Sequence, residues 1–219
     1  MKVSDKKLTL TSITKKLIKF KNSDNQLEIF KRSAPVNSDF FFQELSKSIS
    51  SISGFVHKNN AKEDIQNLFN DFLPSIIHNH IFFNTWLDDM SRVCKIFCEF
   101  LNVNKLSFWI GNNRGCKRYH VDMVPFRLLV TYAGQGTELL PNYAADRKAF
   151  YEGKPNSKII KDKSARKFIN KWDIAIFRGG KKGILHRTPD SALKKGSSIL
   201  LRLDDSSFLE DIMKINDVA

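Results

Sequence analysis

The sequence predicts an α+β fold, in which helices near the N-terminus pack on an antiparallel sheet or barrel. Two observations indicate this class. Between residues 38 and 101, apolar residues recur at three- and four-residue steps, which is the period of an amphipathic helix. Between residues 105 and 205, runs rich in β-forming residues follow one another and are separated by Gly-containing turns. Helices followed by a run of strands are typical of α+β domains.

Length and composition predict one substantial domain. The chain has 219 residues, 42% of them hydrophobic, and its 18 Phe residues provide bulky core material. Residues 1–24 are rich in Lys, Ser and Thr, and we expect a basic, loosely ordered arm there. Residues 25–219 are predicted to form a single domain, with a helical part at 38–101 and a barrel part at 105–205.

Three helices are predicted in the helical part. Ser38 or Asp39 can cap the first, and the second stops before Pro74. The third covers residues 84–101 and has the clearest helical period. Its apolar stripe consists of Leu87, Met90, Cys94, Phe97 and Leu101. This stripe is predicted to be core.

The barrel part is predicted to contain four strands and one long insertion. The strands are expected at residues 106–110, 126–133, 172–177 and 197–203. The turns between them are rich in Gly and Asn, at residues 111–115, 134–136 and 179–183. Residues 142–170 are polar and basic, which indicates an insertion or lid with some helix.

The charge balance raises the chance of an acidic partner. The chain has 36 basic and 23 acidic residues, a net charge of +13. Nucleic acid, anionic lipid or an anionic small molecule are the partner classes that such an excess favours. The lysines are scattered, however, and the sequence has no helix-turn-helix signature, zinc-finger spacing or nucleotide-stacking motif. A generally solvated basic surface explains the charge equally simply.

Other features favour a cytoplasmic protein. No apolar run approaches the roughly 20 residues of a membrane helix, and the start of the chain lacks the apolar stretch of a secretory signal. Three cysteines without an export signal are expected to be reduced. Cys94 and Cys98 are predicted to be core residues, and Cys116 is interpreted as structural although it lies four residues before His120. Nothing in the sequence indicates an oligomeric state.

The candidate chemistry lies in an H-x-D pair and a later histidine. In an extended strand, residues two apart face the same side, about 6.5 Å apart. His120 and Asp122 can therefore converge on one ion, and His186, at the end of a strand, can complete a two-histidine, one-carboxylate set. This set suits Fe(II), with zinc or manganese as alternatives, and leaves coordination positions open. Spacing alone leaves open a hydrogen-bonded pair without metal. His57, His78 and His80 have no accompanying carboxylate or thiol cluster and are not predicted to be ligands.

Residues 116–138 carry a specific motif. They read C-K-R-Y-H-V-D-M-V-P-F-R-L-L-V-T-Y-A-G-Q-G-T-E. This run resembles the signature of a bacterial family, domain-of-unknown-function family 1826. The resemblance continues in four shorter segments, at residues 27–32, 86–89, 184–189 and 200–204. The family name itself states no activity.

The order of the elements is also similar to that of the prolyl-hydroxylase-like branch of Fe(II)- and 2-oxoglutarate-dependent oxygenases. That resemblance implies a double-stranded β-helix, a jelly-roll or cupin-like barrel, with His120, Asp122 and His186 as catalytic metal ligands. It also implies 2-oxoglutarate as co-substrate, held by a basic residue that follows the second histidine. Lys195 and Arg202 compete for this role, and Arg127 is a further candidate for orienting a carboxylate.

Three functions from different classes therefore remain open. The first is an Fe(II)- and 2-oxoglutarate-dependent hydroxylase with an unknown substrate. The second is a non-catalytic metal-binding protein of zinc or iron homeostasis on the same fold. The third is a basic nucleic-acid-binding module, in which the His/Asp cluster is structural and binding depends steeply on salt.

Overall fold

The computed structural model describes residues 10–36 and 38–208 of the chain. The helices are α1 Leu10–Lys21, α2 Ser38–Ser48, α3 Ala61–Asn70, α4 Ser75–His78, α5 Phe83–Leu101, α6 Arg147–Tyr151 and α7 Asn156–Ile159. The strands are β1 Leu27–Phe30, β2 Ser51–His57, β3 Lys105–Gly111, β4 Phe126–Ala133, β5 Glu138–Leu140, β6 Lys167–Phe168, β7 Ile174–Arg178, β8 Leu185–Arg187 and β9 Ile199–Asp205. The predicted mixture of helices and antiparallel strands is confirmed.

The described strands form two antiparallel sheets. The first sheet has the order β1-β7-β4-β9-β3-β2, and the second has the order β6-β5-β8. His120 forms one antiparallel bridge with His186 and so extends the second sheet beyond β8. Within the described residues, both sheets are open, and no hydrogen-bonded strand pairs join them into a closed barrel.

The first sheet has two different faces, because side chains alternate along each strand. On β4, Leu128, Val130 and Tyr132 join the main hydrophobic core, which also contains the buried faces of α2, α3 and α5. Leu129, between them, joins a smaller cluster with Leu139 of the second sheet. The first sheet is therefore covered by helices on one side and by the second sheet on the other.

Aromatic rings fill the main core. Trp86 of α5 is fully buried and stacks on Phe69 of α3, with ring centroids 5.2 Å apart. Phe41, Phe42 and Tyr132 contact the same indole edge-on. Fully burying one such side chain contributes roughly 1.5–3 kcal/mol through the hydrophobic effect. This cluster therefore accounts for much of the stability of the helical layer.

Helix α5 follows the prediction closely. It begins one residue earlier than expected, at Phe83, and its predicted apolar stripe packs in the core. It ends at Asn102, whose φ of 64° is left-handed and whose N–H donates to the carbonyl of Cys98. Asn tolerates this conformation better than most residues, which explains the sharp stop. None of the helices in the described residues is both long and apolar enough to cross a membrane.

The N-terminal half of the chain differs from the prediction in two places. Within the expected arm at residues 1–24, residues 10–21 form α1, whose Ile13, Leu17 and Phe20 are buried; residues 1–9 lie outside the described residues. Within the expected helical part, β2 pairs with the whole length of β3. Burial alternates regularly along β2, but the sequence does not show it, because Phe55 is on the exposed face and the inward-facing position 54 is Gly. A Cβ on Gly54 would lie 2.4 Å from the Leu68 side chain.

Candidate metal centre

The structure brings together the three residues predicted to bind a metal. One ligand atom from each of His120, Asp122 and His186 lies within 4.8 Å of the other two. Asp122 and His186 are almost fully buried, and the two imidazole ring centroids are 4.3 Å apart. The rings lie at the edge of the second sheet, facing the first, where Phe177 of β7 packs on His186 with centroids 4.5 Å apart.

Backbone pairing fixes the spacing of the two histidines. The N–H of His120 donates to the carbonyl of His186, and the N–H of His186 donates to the carbonyl of His120, both at 3.0 Å. Residues that exchange two such bonds in an antiparallel pair have Cα atoms about 5.5 Å apart and side chains on the same face. The two imidazoles are therefore neighbours by virtue of sheet register.

A glycine after β7 positions the backbone of Asp122. A Cβ on Gly179 would lie 1.9 Å from the carbonyl oxygen of Val124 and 2.6 Å from that of Asp122, so only glycine fits this close approach. The next residue, Gly180, donates its N–H to the Asp122 carbonyl at 2.7 Å. The turn predicted at residues 179–183 thus holds the aspartate in place.

Each histidine is oriented by its own backbone. Nδ1 of His120 lies 3.1 Å from the carbonyl of Arg118, and Nδ1 of His186 lies 3.1 Å from that of Ile184. A carbonyl oxygen only accepts, so the proton is on Nδ1 and the lone pair of each ring is on Nε2, the atom that can bind a metal. Burial lowers the pKa of His186 to about 4, which keeps this ring neutral at physiological pH.

Asp122 provides the observation that most favours a cation. Its Oδ1 accepts a hydrogen bond from Nη1 of Arg127, whereas its Oδ2 is buried and has no hydrogen-bond partner among the described residues. This Oδ2 is 3.4 Å from Nε2 of His186. A buried carboxylate oxygen without a donor costs free energy that a bound cation would offset. Two imidazole nitrogens and one carboxylate oxygen are ligands that suit Fe(II), Mn(II) and Zn(II).

Arg127 lines the cavity, and its guanidinium is paired with protein carboxylates. Its Nε donates to Oδ1 of Asp204 at 2.8 Å and its Nη2 to Oδ2 at 3.2 Å, in addition to the bond with Asp122. The guanidinium is therefore held by two aspartates. These contacts let Arg127 orient the Asp122 carboxylate. Its expected role in cofactor binding stays a prediction.

A cavity of about 120 Å³ opens in front of the three residues. Arg202 of β9 contributes to its wall, with its guanidinium 5.4 Å from the ring centroid of Trp109 and its Nε 3.3 Å from Oδ2 of Asp204. Lys195, the competing candidate, is exposed in the loop before β9 and is not among the residues that line the cavity. The position nine residues after His186 therefore does not reach the site, because the chain is still in a loop there.

Sequence reasoning missed several residues of the cavity wall. Arg114 lies in a predicted turn, Arg187 follows His186, and Cys116 was interpreted as structural. The structure places the Cys116 thiol against His120, and their hydrogen bond lowers the pKa of the thiol. Neither helical nor strand periodicity could have identified these side chains, since they lie in a loop and in a strand of three residues. One signal was available: Cys116 is the first residue of the motif at 116–138, and Arg114 lies just before it.

Comparisons with known proteins complete the description. No curated protein gives a significant match. Among solved structures, an Fe(II)/(alpha)ketoglutarate-dependent dioxygenase, TqaL, aligns with a TM-score of 0.44 and 9% identity over 89% of this chain and 88% of that one. A bsmA homolog from Methylobium petroleophilum aligns with a TM-score of 0.31 and 11% identity, over 61% and 54% of the two chains. A full-length Neurospora crassa protein in complex with alpha-KG gives 0.28 and 9%, over 93% and 73%. At these scores the likeness decides nothing about this chain.

The family comparison is decisive. One protein-family description, "Protein of unknown function (DUF1826)", matches residues 12–204. This range includes α5, the three candidate ligands and the whole cavity wall described above. The expectation drawn from the motif of residues 116–138 is confirmed, and the chain belongs to the DUF1826 family.

Proposed function

We propose that this protein is an Fe(II)- and 2-oxoglutarate-dependent oxygenase that hydroxylates a substrate in the cavity. His120, Asp122 and His186 are its metal ligands. The observation that carries the proposal is the unpartnered, buried Oδ2 of Asp122 beside two imidazoles whose Nδ1 atoms are occupied by backbone carbonyls. When bound, Fe(II) supplies the activation of oxygen, coupled to conversion of 2-oxoglutarate to succinate and carbon dioxide.

The path of the chain supports a double-stranded β-helix for this proposal. From β3 onward, the chain passes repeatedly between the two sheets: β3, β4, β7 and β9 belong to the first sheet, and the His120 bridge, β5, β6 and β8 to the second. These seven strands and one bridge, divided four and four between two facing sheets, match the eight positions of a jelly roll. The candidate metal centre lies between the two sheets, where such folds hold their ligands.

Arg202 is the proposed anchor for 2-oxoglutarate. It shares the inward face of β9 with Leu200, and both side chains line the cavity. Its planar guanidinium can bind a carboxylate with two parallel hydrogen bonds, which a Lys cannot do. Leu129, Leu200 and Trp109 give the cavity apolar walls. These walls exclude water from the carbon chain of the co-substrate.

A non-catalytic metal-binding protein is the second candidate, and two observations favour it. Arg202 lies within 3.3 Å of Asp204, so its charge is already partly compensated. Cys116 contacts His120 and adds a thiol, a ligand type that zinc prefers, beside the three candidate ligands. In this case, metal binds at the same residues, but 2-oxoglutarate does not bind to the metal centre.

Metal content and co-substrate binding distinguish the two candidates. Anaerobically purified wild-type protein is expected to hold one equivalent of Fe(II) and to show a charge-transfer absorption band when 2-oxoglutarate is added. Asp122→Ala is expected to lose both properties, because it removes one of three ligands. Asp88→Ala is the matched control, since Asp88 is half-exposed on α5 and pairs with Lys62, away from the cavity.

Arg202→Gln separates the roles within the site. It is expected to keep the metal and to bind 2-oxoglutarate about ten- to a hundredfold more weakly, through loss of charged hydrogen bonds. Arg92→Gln, at an exposed position of α5, is the control. Metal binding without any response to 2-oxoglutarate would support metal handling instead. A wild-type protein that binds no metal would contradict both candidates.

The net charge of +13 adds a proposal about partners. An excess of basic residues favours an acidic substrate, and a nucleic acid belongs to that class. A steep fall of binding with salt would support a nucleic-acid substrate.

A single domain over residues 25–219 and a cytoplasmic location also remain predictions.

A further inference from the structure

Four arginines line the cavity, and three of them are paired with carboxylates. Arg127 bonds Asp122 and Asp204, and Arg202 lies beside Asp204. Arg187 pairs with Glu138 at 2.8 Å and with Asp190 at 2.7 Å. Arg114 is the exception: in the described part of the chain, no carboxylate lies within ion-pair distance of it.

Arg114 is also the most buried of the four. Only 4% of the residue is exposed. Its Nη1 donates to the carbonyl of Gln135 at 2.9 Å and its Nη2 to the hydroxyl of Thr137 at 3.0 Å, whereas its Nε is buried without any partner. Burial without a counter-charge lowers the pKa of Arg114 to about 10. Both acceptors are neutral, so the positive charge is not compensated.

A structural role explains only part of this arrangement. The two hydrogen bonds hold the turn between β4 and β5, and a neutral amide side chain could make similar bonds. A guanidinium has five N–H donors, and three of those of Arg114 have no acceptor. Burying a cation is unfavourable unless an opposite charge approaches it. The missing acceptor is therefore an anion that the described residues do not supply.

Arg114 faces the same cavity as the candidate metal centre. Both contribute to its wall, and Cys116 lies between them: its thiol bonds His120 and interacts electrostatically with Arg114. Arg202 approaches from β9, on the first sheet, whereas Arg114 lies in the loop after β3 and is bonded to the start of β5. The two guanidinium groups thus belong to different walls.

We propose that Arg114 is a second oxyanion-binding site, separate from the Arg202 site, and that it binds the carboxylate or phosphate group of the substrate. That the ligand is a substrate rests on the proposed function; that the site binds an oxyanion rests on Arg114 alone. The cavity then takes a small organic anion, with its charged group at Arg114 and its remaining atoms against Leu129, Leu200 and Trp109.

The test measures anion binding in the full chain with the second arginine removed. Acetate and inorganic phosphate are added separately to Arg202→Gln protein at constant ionic strength, with chloride as reference, and the melting temperature is followed. A ligand that binds only the folded state raises this temperature in proportion to its occupancy. The Arg202→Gln protein is expected to show saturable stabilisation by the anion. In the Arg114→Gln/Arg202→Gln double variant, the apparent affinity for the anion is expected to fall at least about tenfold.

Further variants make each outcome decisive. Arg114→Lys keeps the charge and is expected to retain weaker binding, which also covers the case in which Arg114→Gln does not fold. Arg92→Gln in the same background controls for general charge effects. Stronger stabilisation by acetate assigns an organic acid, and stronger stabilisation by phosphate a phosphorylated compound. Equal anion binding with and without Arg114 would overturn the proposal.

The result is independent of the metal. The titration is done without metal and again with Mn(II), so Arg114 can bind its anion even if the protein proves not to be an oxygenase. In the holoprotein, Arg114→Gln is expected to leave 2-oxoglutarate binding unchanged. If Arg114→Gln abolishes that binding and Arg202→Gln does not, Arg114 is the co-substrate anchor and no second site exists.

Discussion

The two faces of the first sheet are built from the same strands and differ completely in chemistry. On β9, Leu201 and Leu203 join the aromatic core beneath the helices, whereas Leu200 and Arg202 point to the cavity and Asp204 pairs with Arg127. The helix-covered face is almost entirely apolar. The opposite face carries buried charges that are held in pairs.

This difference shows how one strand can serve stability and chemistry at once. Because side chains alternate, every second position is free to be polar without disturbing the main core. Buried ion pairs on the cavity side contribute little net stability, since desolvation offsets their attraction. We therefore expect substitutions on the helix-covered face to alter folding and those on the cavity face to alter ligand binding.

The largest expected effect lies in the aromatic core. Phe69→Ala should lower the free energy of unfolding by about 3–5 kcal/mol, because it leaves a cavity beside Trp86. Phe72→Ala, three residues later and 60% exposed, is the matched control and should change stability by less than about 1 kcal/mol. Denaturant unfolding measures both. Similar losses in the two variants would show that α3 does not seal the core as described.

The second-largest effect is expected when one partner of a buried ion pair between the sheets is neutralised, because the other charge is then left buried and unpaired. Glu138→Gln should cost about 3 kcal/mol, because the buried carboxylate bonds Tyr119, Arg187 and Arg166. Asp190→Asn, which removes the exposed partner of the same Arg187, should cost at most about 1 kcal/mol. Thermal and denaturant unfolding measure the loss of stability in each variant. If Asp190→Asn costs as much as Glu138→Gln, burial does not decide the strength of these pairs.

The smallest effect concerns thiol reactivity and leaves the fold intact. Cys94 and Cys98 are buried in the core, and burial raises the pKa of Cys98 to about 11. Cys116 is exposed at the cavity. Iodoacetamide near neutral pH should therefore modify Cys116 first, and the other two only after unfolding, as peptide mass spectrometry can show. Early modification of Cys94 or Cys98 would mean that the helix-covered face opens in the native state.

The sequence predicted the long, periodic elements and the three candidate ligands. Helix α5 has 19 residues, enough to show its period clearly. The prediction placed the H-x-D pair on an extended strand, but His120 forms an isolated β-bridge and Asp122 lies outside any strand. The convergence of His186 with that pair depends on tertiary structure, and here the spacing led to the correct prediction. Whether the three bind metal stays a prediction.

The elements that were missed are short or have a mixed pattern. Strands β5, β6 and β8 contain three, two and three residues, too few for alternation to be recognised. In α1 the buried Ile13, Leu17 and Phe20 are diluted by lysines, which made the segment resemble a loose arm. Arg114 could not be recognised because its significance comes from an absent counter-charge, and absent partners are visible only in three dimensions.

The mutual hydrogen bonds between the backbones of His120 and His186 separate ligand placement from ligand identity. Any residue except proline can keep the same Cα spacing at either position, because the amide groups and not the imidazoles form the pair. A single substitution, such as His120→Cys or His186→Asp, can therefore change the donor atoms while the scaffold stays fixed. If the site binds a metal, one side-chain change can therefore alter its donor set without a change of architecture.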